Sequence, residues 1–443
     1  MNKLITFFAL IILSVSLSAQ TAIKRTLIVN VNIFNGKENK ILKGNILIEG
    51  KLIKQITTST IDADSNTLVI DGKGKYIIPG LIDNHAHLLY ESLPQNQLLL
   101  VDYAFLNILG TKTAEMELLN GFTTLRDVGG GGLSLVKAID MGIVNGPRVF
   151  PSGAFISQTG GHGDTGLPND VPRRLGDMSY AERNGIAAIA DGPDQVLMRV
   201  REQLRQGATQ IKLMAGGGVA SNYDPLDVTQ YTEEEMKVAV EAAENWGTYV
   251  TVHAYTPRAI TMAVNAGVKC IEHAQLIDEA TVKLMAAKNV WISLQPFLDD
   301  EDAIFFAEGS ANRKKQLETT MGTDNAYMLA KKYKLKIAWG TDCLFDPVLV
   351  AKKGKLLSKM TRWFTPFEAL KMATYDNAQL LYLSGKRNPY QEGKLGEISE
   401  GAYADLILVD GNPLENIKLI ENPQKNFLVI MKNGVIFKNT LSK

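Results

Sequence analysis

Apolar and polar positions alternate along two stretches near the N-terminus, Arg25 to Ile48 and Leu52 to Ile70, with breaks at Asn35-Gly36, Lys43-Gly44 and Glu49-Gly50. Period two puts every second side chain on one face of an extended strand, and the Gly-containing dipeptides supply turns, so these stretches predict hairpins. The texture returns in Gly393 to Val409 and Asn426 to Phe437, with Asp410-Gly411-Asn412-Pro413 and Asn433-Gly434 as turns. β-rich ends around a different middle predict one small β-sandwich made from both termini, residues 20–75 and 391–443, with two separate β units as the competing arrangement.

The middle has another rhythm: helix, glycine, strand. Helical segments stop at Gly121, Gly207, Gly247 and Gly267, where a left-handed cap is expected. An apolar, β-branched or aromatic run follows each one: Phe122-Thr123-Thr124-Leu125, Thr209-Gln210-Ile211-Lys212, Thr248-Tyr249-Val250-Thr251-Val252 and Val268-Lys269-Cys270-Ile271. Helices alternating with buried strands mean a parallel sheet. With Ile77 to Ile82, Arg148 to Ser152, Val290 to Leu294 and Lys336 to Trp339 the strands number eight, the count that closes a (β/α)8 TIM barrel. The predicted class is α/β, a barrel over residues 76–390 joined to the small β-sandwich.

A chain of 443 residues has room for both units. Lys+Arg and Asp+Glu number 47 each, so no net field favours nucleic acid or an anionic membrane. Residues 1–19 combine a Met1-Asn2-Lys3 start, an apolar run from Leu4 to Leu13 and a small-residue tail ending at Ala19, the layout of a cleavable secretory signal. The run is too short for a stable span. An exported protein, periplasmic or secreted, without stable membrane insertion after cleavage, is expected, a retained N-terminal tether being the alternative. Cys270 and Cys343 are the only cysteines, so no disulfide framework holds the fold and both are expected to pack as small hydrophobes.

The chain has five histidines, and each falls near the end of an apolar run or in a Gly-rich turn. His85 and His87 end Pro79-Gly80-Leu81-Ile82-Asp83-Asn84-His85-Ala86-His87, and residues i and i+2 of a strand share one face, so both imidazoles can point at one ion. Lys212 lies in the fourth predicted strand, His253 after the fifth, His273 after the sixth and Asp342 after the eighth, all at the C-terminal rim of the barrel. Imidazole and carboxylate suit zinc or a similar divalent ion. His162, in Thr159-Gly160-Gly161-His162-Gly163, and Tyr255 can reach over the same rim. An ammonium beside a dication is repelled, so Lys212 is a poor ligand as it stands; it could neutralise a carboxylate or act as a Schiff-base lysine. The runs Gly129 to Gly132 and Gly216 to Gly218 lack the phosphate-loop and dinucleotide signatures and read as tight turns at the barrel mouth. Arg126-Asp127 reads as a structural ion pair.

These motifs, with Gly121-Phe122-Thr123-Thr124-Leu125-Arg126-Asp127, Ile271-Glu272-His273, Gly340-Thr341-Asp342 and Gly401-Ala402-Tyr403-Ala404-Asp405-Leu406-Ile407, make the chain resemble the amidohydrolase superfamily over nearly its whole mature length. The segment around His162 resembles the imidazolonepropionase-like branch that includes Xaa-Pro dipeptidases. The resemblance implies two divalent ions, expected to be Zn2+, with His85, His87 and Asp342 on the more buried ion and His253 and His273 on the more exposed one. It further implies that Lys212 is carboxylated by CO2 and bridges the ions with a hydroxide, that Asp342 is the proton shuttle, and that His162 and Tyr255 polarise the scissile carbonyl or hold a substrate carboxylate.

The expected function is an exported metal-dependent amidohydrolase acting on a small amide, foremost the C-terminal peptide bond of a dipeptide or N-acyl amino acid. Two rivals stay open: a one-metal cyclic-amide hydrolase of imidazolonepropionase type, and a metal- or solute-binding barrel without turnover. A homo-oligomer is compatible with either.

Overall fold

The computed structural model describes residues 24–98, 100–167 and 177–441; the secretory-signal reading of residues 1–19 lies outside the described residues. The chain opens with five strands, β1 (Arg25–Phe34), β2 (Ile41–Glu49), β3 (Leu52–Thr57), β4 (Thr67–Asp71) and β5 (Tyr76–Pro79). Ten short strands follow, interleaved with helices: β6 (Leu81–Ala86), β7 (Phe122–Asp127), β8 (Arg148–Pro151), β9 (Phe155–Ser157), β10 (Ala187–Ile189), β11 (Ile211–Met214), β12 (Val250–Ala254), β13 (Cys270–His273), β14 (Trp291–Leu294) and β15 (Ile337–Trp339). β16 (Leu406–Val409), β17 (Phe427–Lys432) and β18 (Val435–Asn439) complete the chain.

Both termini enter one eight-stranded sheet, ordered β18-β17-β16-β5-β1-β2-β3 with β4 paired to β1. The join is antiparallel pairing of β16 on β5, with Leu406 opposite Pro79 and Val409 opposite Tyr76. Alternating positions from both ends of the chain, among them Ile28, Ile46, Ile77, Leu408 and Met431, share one apolar core. Each fully buried side chain of this kind contributes on the order of 1.5–3 kcal/mol.

The middle strands are parallel and form two arcs, β6-β7-β8 and β10-β9-β11-β12-β13-β14-β15. Side-chain and single backbone bonds connect the arcs. Thr209 N–H donates to the Pro151 carbonyl at 2.7 Å on one side, and Asp342 N–H donates to the His85 carbonyl at 2.8 Å on the other. At that second seam Asn377 accepts from Trp339 N–H at 2.9 Å and donates to the Ile82 and Trp339 carbonyls at 2.7 and 2.8 Å. The helices between strands bury one stripe and stop where the glycines predict: Pro193–Gln206 buries Val196, Val200 and Leu204 and ends at Gly207 with φ +104°, and Pro257–Ala266 ends at Gly267 with φ +100°.

Two strand expectations change. The apolar run Ile77 to Ile82 is two strands: β5 belongs to the terminal sheet and β6 to the barrel, with the break at Gly80, where a Cβ would meet the Thr123 side chain at 2.1 Å. The third predicted strand is followed by β9 and β10, which join the larger arc. The C-terminal ends of β6, β11, β12, β13 and β15 bring the candidate ligands to one rim.

Candidate metal centre

His85 and His87 leave the end of β6 with ring centroids 5.3 Å apart, and the Nε2 of each lies 3.4 Å from Asp342 Oδ1. The other ring nitrogen is occupied in both. His85 Nδ1 contacts Glu272 Oε2 at 2.8 Å, and His87 Nδ1 contacts the Gly129 carbonyl at 2.9 Å. Acceptors at Nδ1 hold the proton there and leave Nε2 with a lone pair facing Asp342. His85 Nε2 and Asp342 Oδ1 are buried without a hydrogen-bond partner. Two buried acceptors turned towards each other are costly unless a cation lies between them, and two imidazoles with a carboxylate suit a divalent ion. The ligand atoms of His85, His87 and Asp342 all lie within 4.8 Å of one another.

The imidazoles continue as a row, His85 to His273 at 4.7 Å, His273 to His253 at 4.4 Å and His253 to a stacked His162 at 4.1 Å. His273 Nδ1 contacts Gln295 Oε1 at 2.8 Å and His253 Nε2 contacts the Gly217 carbonyl at 3.1 Å, so each again keeps one free nitrogen. Tyr255 packs edge-on against His253 at 4.9 Å. Lys212 is buried on β11, where the carboxylates of Glu272 and Asp342 act on its amine.

Burial sets the charge states. It lowers Lys212 to about 8, holds His162 at about 4 and drives His253 and His273 well below the ordinary imidazole value. Burial works to raise Asp342, but the imidazoles of His85, His87 and His273 outweigh it and keep the carboxyl well below the usual range. The backbone is strained at the same place: His273, Ala274 and Asp342 have φ of +77°, +64° and +48°, conformations that non-glycine residues hold only when their surroundings dictate it.

All eight residues expected at the site, His85, His87, His162, Lys212, His253, Tyr255, His273 and Asp342, line one cleft of about 1580 Å³, solvent at its mouth included. The residues that orient them were not foreseen. Glu272 accepts from His85 and also from Arg126 Nη2 at 2.7 Å and from Thr251 Oγ1. The expected Arg126–Asp127 pair does not form, because neighbours in a strand point to opposite faces; Asp127 instead accepts the Leu88 and Gly129 N–H groups at 3.0 Å. A charged residue inside Cys270-Ile271-Glu272 was the available signal. The glycine runs do more than turn the chain. Gly129 and Gly217 supply carbonyls to His87 and His253, and a Cβ on Gly218 would lie 1.9 Å from the His162 ring. His162 Nδ1 is in turn held by Ser221 Oγ at 2.7 Å. Cys270 and Cys343 are free and buried, as expected.

The profile of the amidohydrolase family matches residues 76–437. The chain belongs to the amidohydrolase family. Members of this family are metal-dependent hydrolases. An ochratoxinase of Aspergillus niger is 35% identical over 342 residues, 72% of this chain and 66% of that protein's length. The amidohydrolase fold also superposes on a prolidase solved with N-methylphosphonate-L-proline, at 33% identity and TM-score 0.84, covering 94% of this chain and 100% of the other. A Xaa-Pro dipeptidase with methionine in its active site is similar at 30% identity and TM-score 0.80, covering 94% and 100% of the two chains.

Proposed function

We propose that the protein is an exported amidohydrolase with a closed (β/α)8 barrel over residues 76–390, which cuts the C-terminal peptide bond of a dipeptide or N-acyl amino acid with two zinc ions. The observation that carries this reading is the unpaired His85 Nε2 and Asp342 Oδ1 at one end of a row of imidazoles, with the buried amine of Lys212 in the same cleft. His85, His87 and Asp342 would hold one ion, and His253 and His273 the other. Carboxylated Lys212 would lie between them. Forming that carbamate needs the neutral amine, and burial favours it by lowering Lys212 to about 8. When bound, the ions supply a nucleophile at neutral pH by lowering the pKa of water towards about 7.

The remaining chemistry belongs to the chain. Asp342, ionised at neutral pH, accepts a proton at its carboxylate and delivers it to the leaving nitrogen, which must depart as an amine. His162, neutral and held by Ser221, and Tyr255 hold the substrate carboxylate or polarise the scissile carbonyl. The prolidase and dipeptidase likenesses support a dipeptide over a cyclic amide. A library of dipeptides and N-acyl amino acids, assayed with zinc and bicarbonate, tests the reading. Cleavage of at least one such amide is expected, and turnover of cyclic amides alone would contradict it.

A further inference from the structure

The run Gly129 to Gly132 holds φ between +83° and +133°, and it does more than carry the Gly129 carbonyl to His87. A Cβ on Gly129 would meet the Phe155 ring at 2.6 Å, and one on Gly130 the Tyr90 ring at 3.2 Å. The glycines therefore make room for two aromatic side chains immediately beside the imidazole row. Tyr90 lies parallel to His87, centroids 6.0 Å apart, and packs against Phe155 at 6.2 Å and Phe345 at 5.8 Å. Phe345 is itself strained, with φ +61°, and its N–H donates to the Tyr90 carbonyl at 3.0 Å. A bulky residue held in the left-handed region points to a function for its placement. All three rings line the cleft.

Away from the imidazole row, three carboxylates on the same cleft, Asp164, Asp300 and Asp302, already have partners. Lys359 contacts Asp300 and Asp302 at 2.8 and 2.9 Å, and Asp302 also receives Lys355 at 2.8 Å. Asp164 accepts the Gly160 and Gly166 N–H groups at 2.9 and 3.0 Å. A charged substituent entering against the Tyr90, Phe155 and Phe345 rings would lose water without gaining a partner from them, whereas an aromatic one meets apolar ring surface.

We propose that Tyr90, Phe155 and Phe345 form a subsite for an aromatic or large apolar group on the acyl side of the scissile amide. The inference rests on the amidohydrolase reading above, with the carboxylate of the leaving half taken by His162, at the far end of the imidazole row, and Tyr255, beside His253 and His273. Phe345 and the glycine run then set specificity.

The test is kcat/KM for a matched series, Phe-Xaa, Ala-Xaa and Asp-Xaa, with Xaa the leaving residue best accepted in the library screen, for the wild type, Phe345→Ala and Gly130→Ala. The wild type should prefer Phe-Xaa over Ala-Xaa by about 10-fold or more, the scale set by filling an apolar pocket, with Asp-Xaa poorest. Both variants should shrink the Phe/Ala ratio towards unity, and the wild-type series decides alone if either fails to fold. Turnover without a preference for Phe-Xaa, or a preference unchanged in both variants, overturns the subsite and leaves the amidohydrolase reading standing. No turnover of any dipeptide or N-acyl amino acid overturns that reading and the subsite with it.

Discussion

Each imidazole of the metal centre gives one ring nitrogen to a protein acceptor and keeps the other for the cleft, so tautomer and direction are set before any ligand arrives. The burial that enforces this also has a pH signature. His162 is held at about 4 in the fold, against 6.5 for an unperturbed ring. Between those values the unfolded chain binds the extra proton, so the stability associated with the neutral ring is complete above 6.5 and is lost as pH falls towards 4. In metal-free protein, wild type should therefore lose stability relative to His162→Asn by at most about 1.4 kcal/mol per pH unit across that window, measured by denaturant titration. Parallel pH profiles would mean that the ring is not buried as described. Asp342 carries the proton in the proposed mechanism. Asp342→Asn keeps the shape and loses the base, so kcat should fall roughly 10²-fold or more, read after metal content is checked; a loss under about tenfold would assign the proton to another group.

At the scale of elements, the ligands were legible because histidine is scarce in this chain and strand ends are marked by local signals, glycine caps before the run and apolar residues within it. Their orienters were not, since Glu272 meets His85 across 187 residues of sequence and nothing local announces that contact. The same reasoning covers Gly80. An apolar run reads alike whether it pairs with β1 or with β7, and the split between β5 and β6 is decided by the approach of Thr123. The Gly216 to Gly218 run reads in the sequence as a tight turn at the barrel mouth, yet its third residue also leaves the room that His162 fills. Gly218→Ala should push the ring from its place and lower kcat/KM by about 10²-fold, as misplacement by about 1 Å commonly does, while zinc content is retained. Full activity in that variant would remove His162 from the working site.

For the whole molecule, a buried contact ties the terminal sheet to the parallel strands. Arg148 on β8 pairs with Asp405 beside β16, and its guanidinium lies 3.9 Å from the centroid of the Tyr403 ring, so the sheet built from both termini is fastened to the barrel by a buried cation. The sheet formed by both ends was legible from matching texture at either end of the chain, whereas this fastening was not, because it joins residues 257 positions apart. What the assembled rim is for can be asked most directly by titrating zinc into metal-free protein in bicarbonate buffer and following hydrolysis of the best amide from the library. Hydrolysis should rise until about two zinc ions are bound per chain, as a two-metal hydrolase requires, and Lys212→Ala should regain little activity at any zinc level. A plateau at one equivalent, or a Lys212→Ala protein as active as wild type, would contradict the two-metal site.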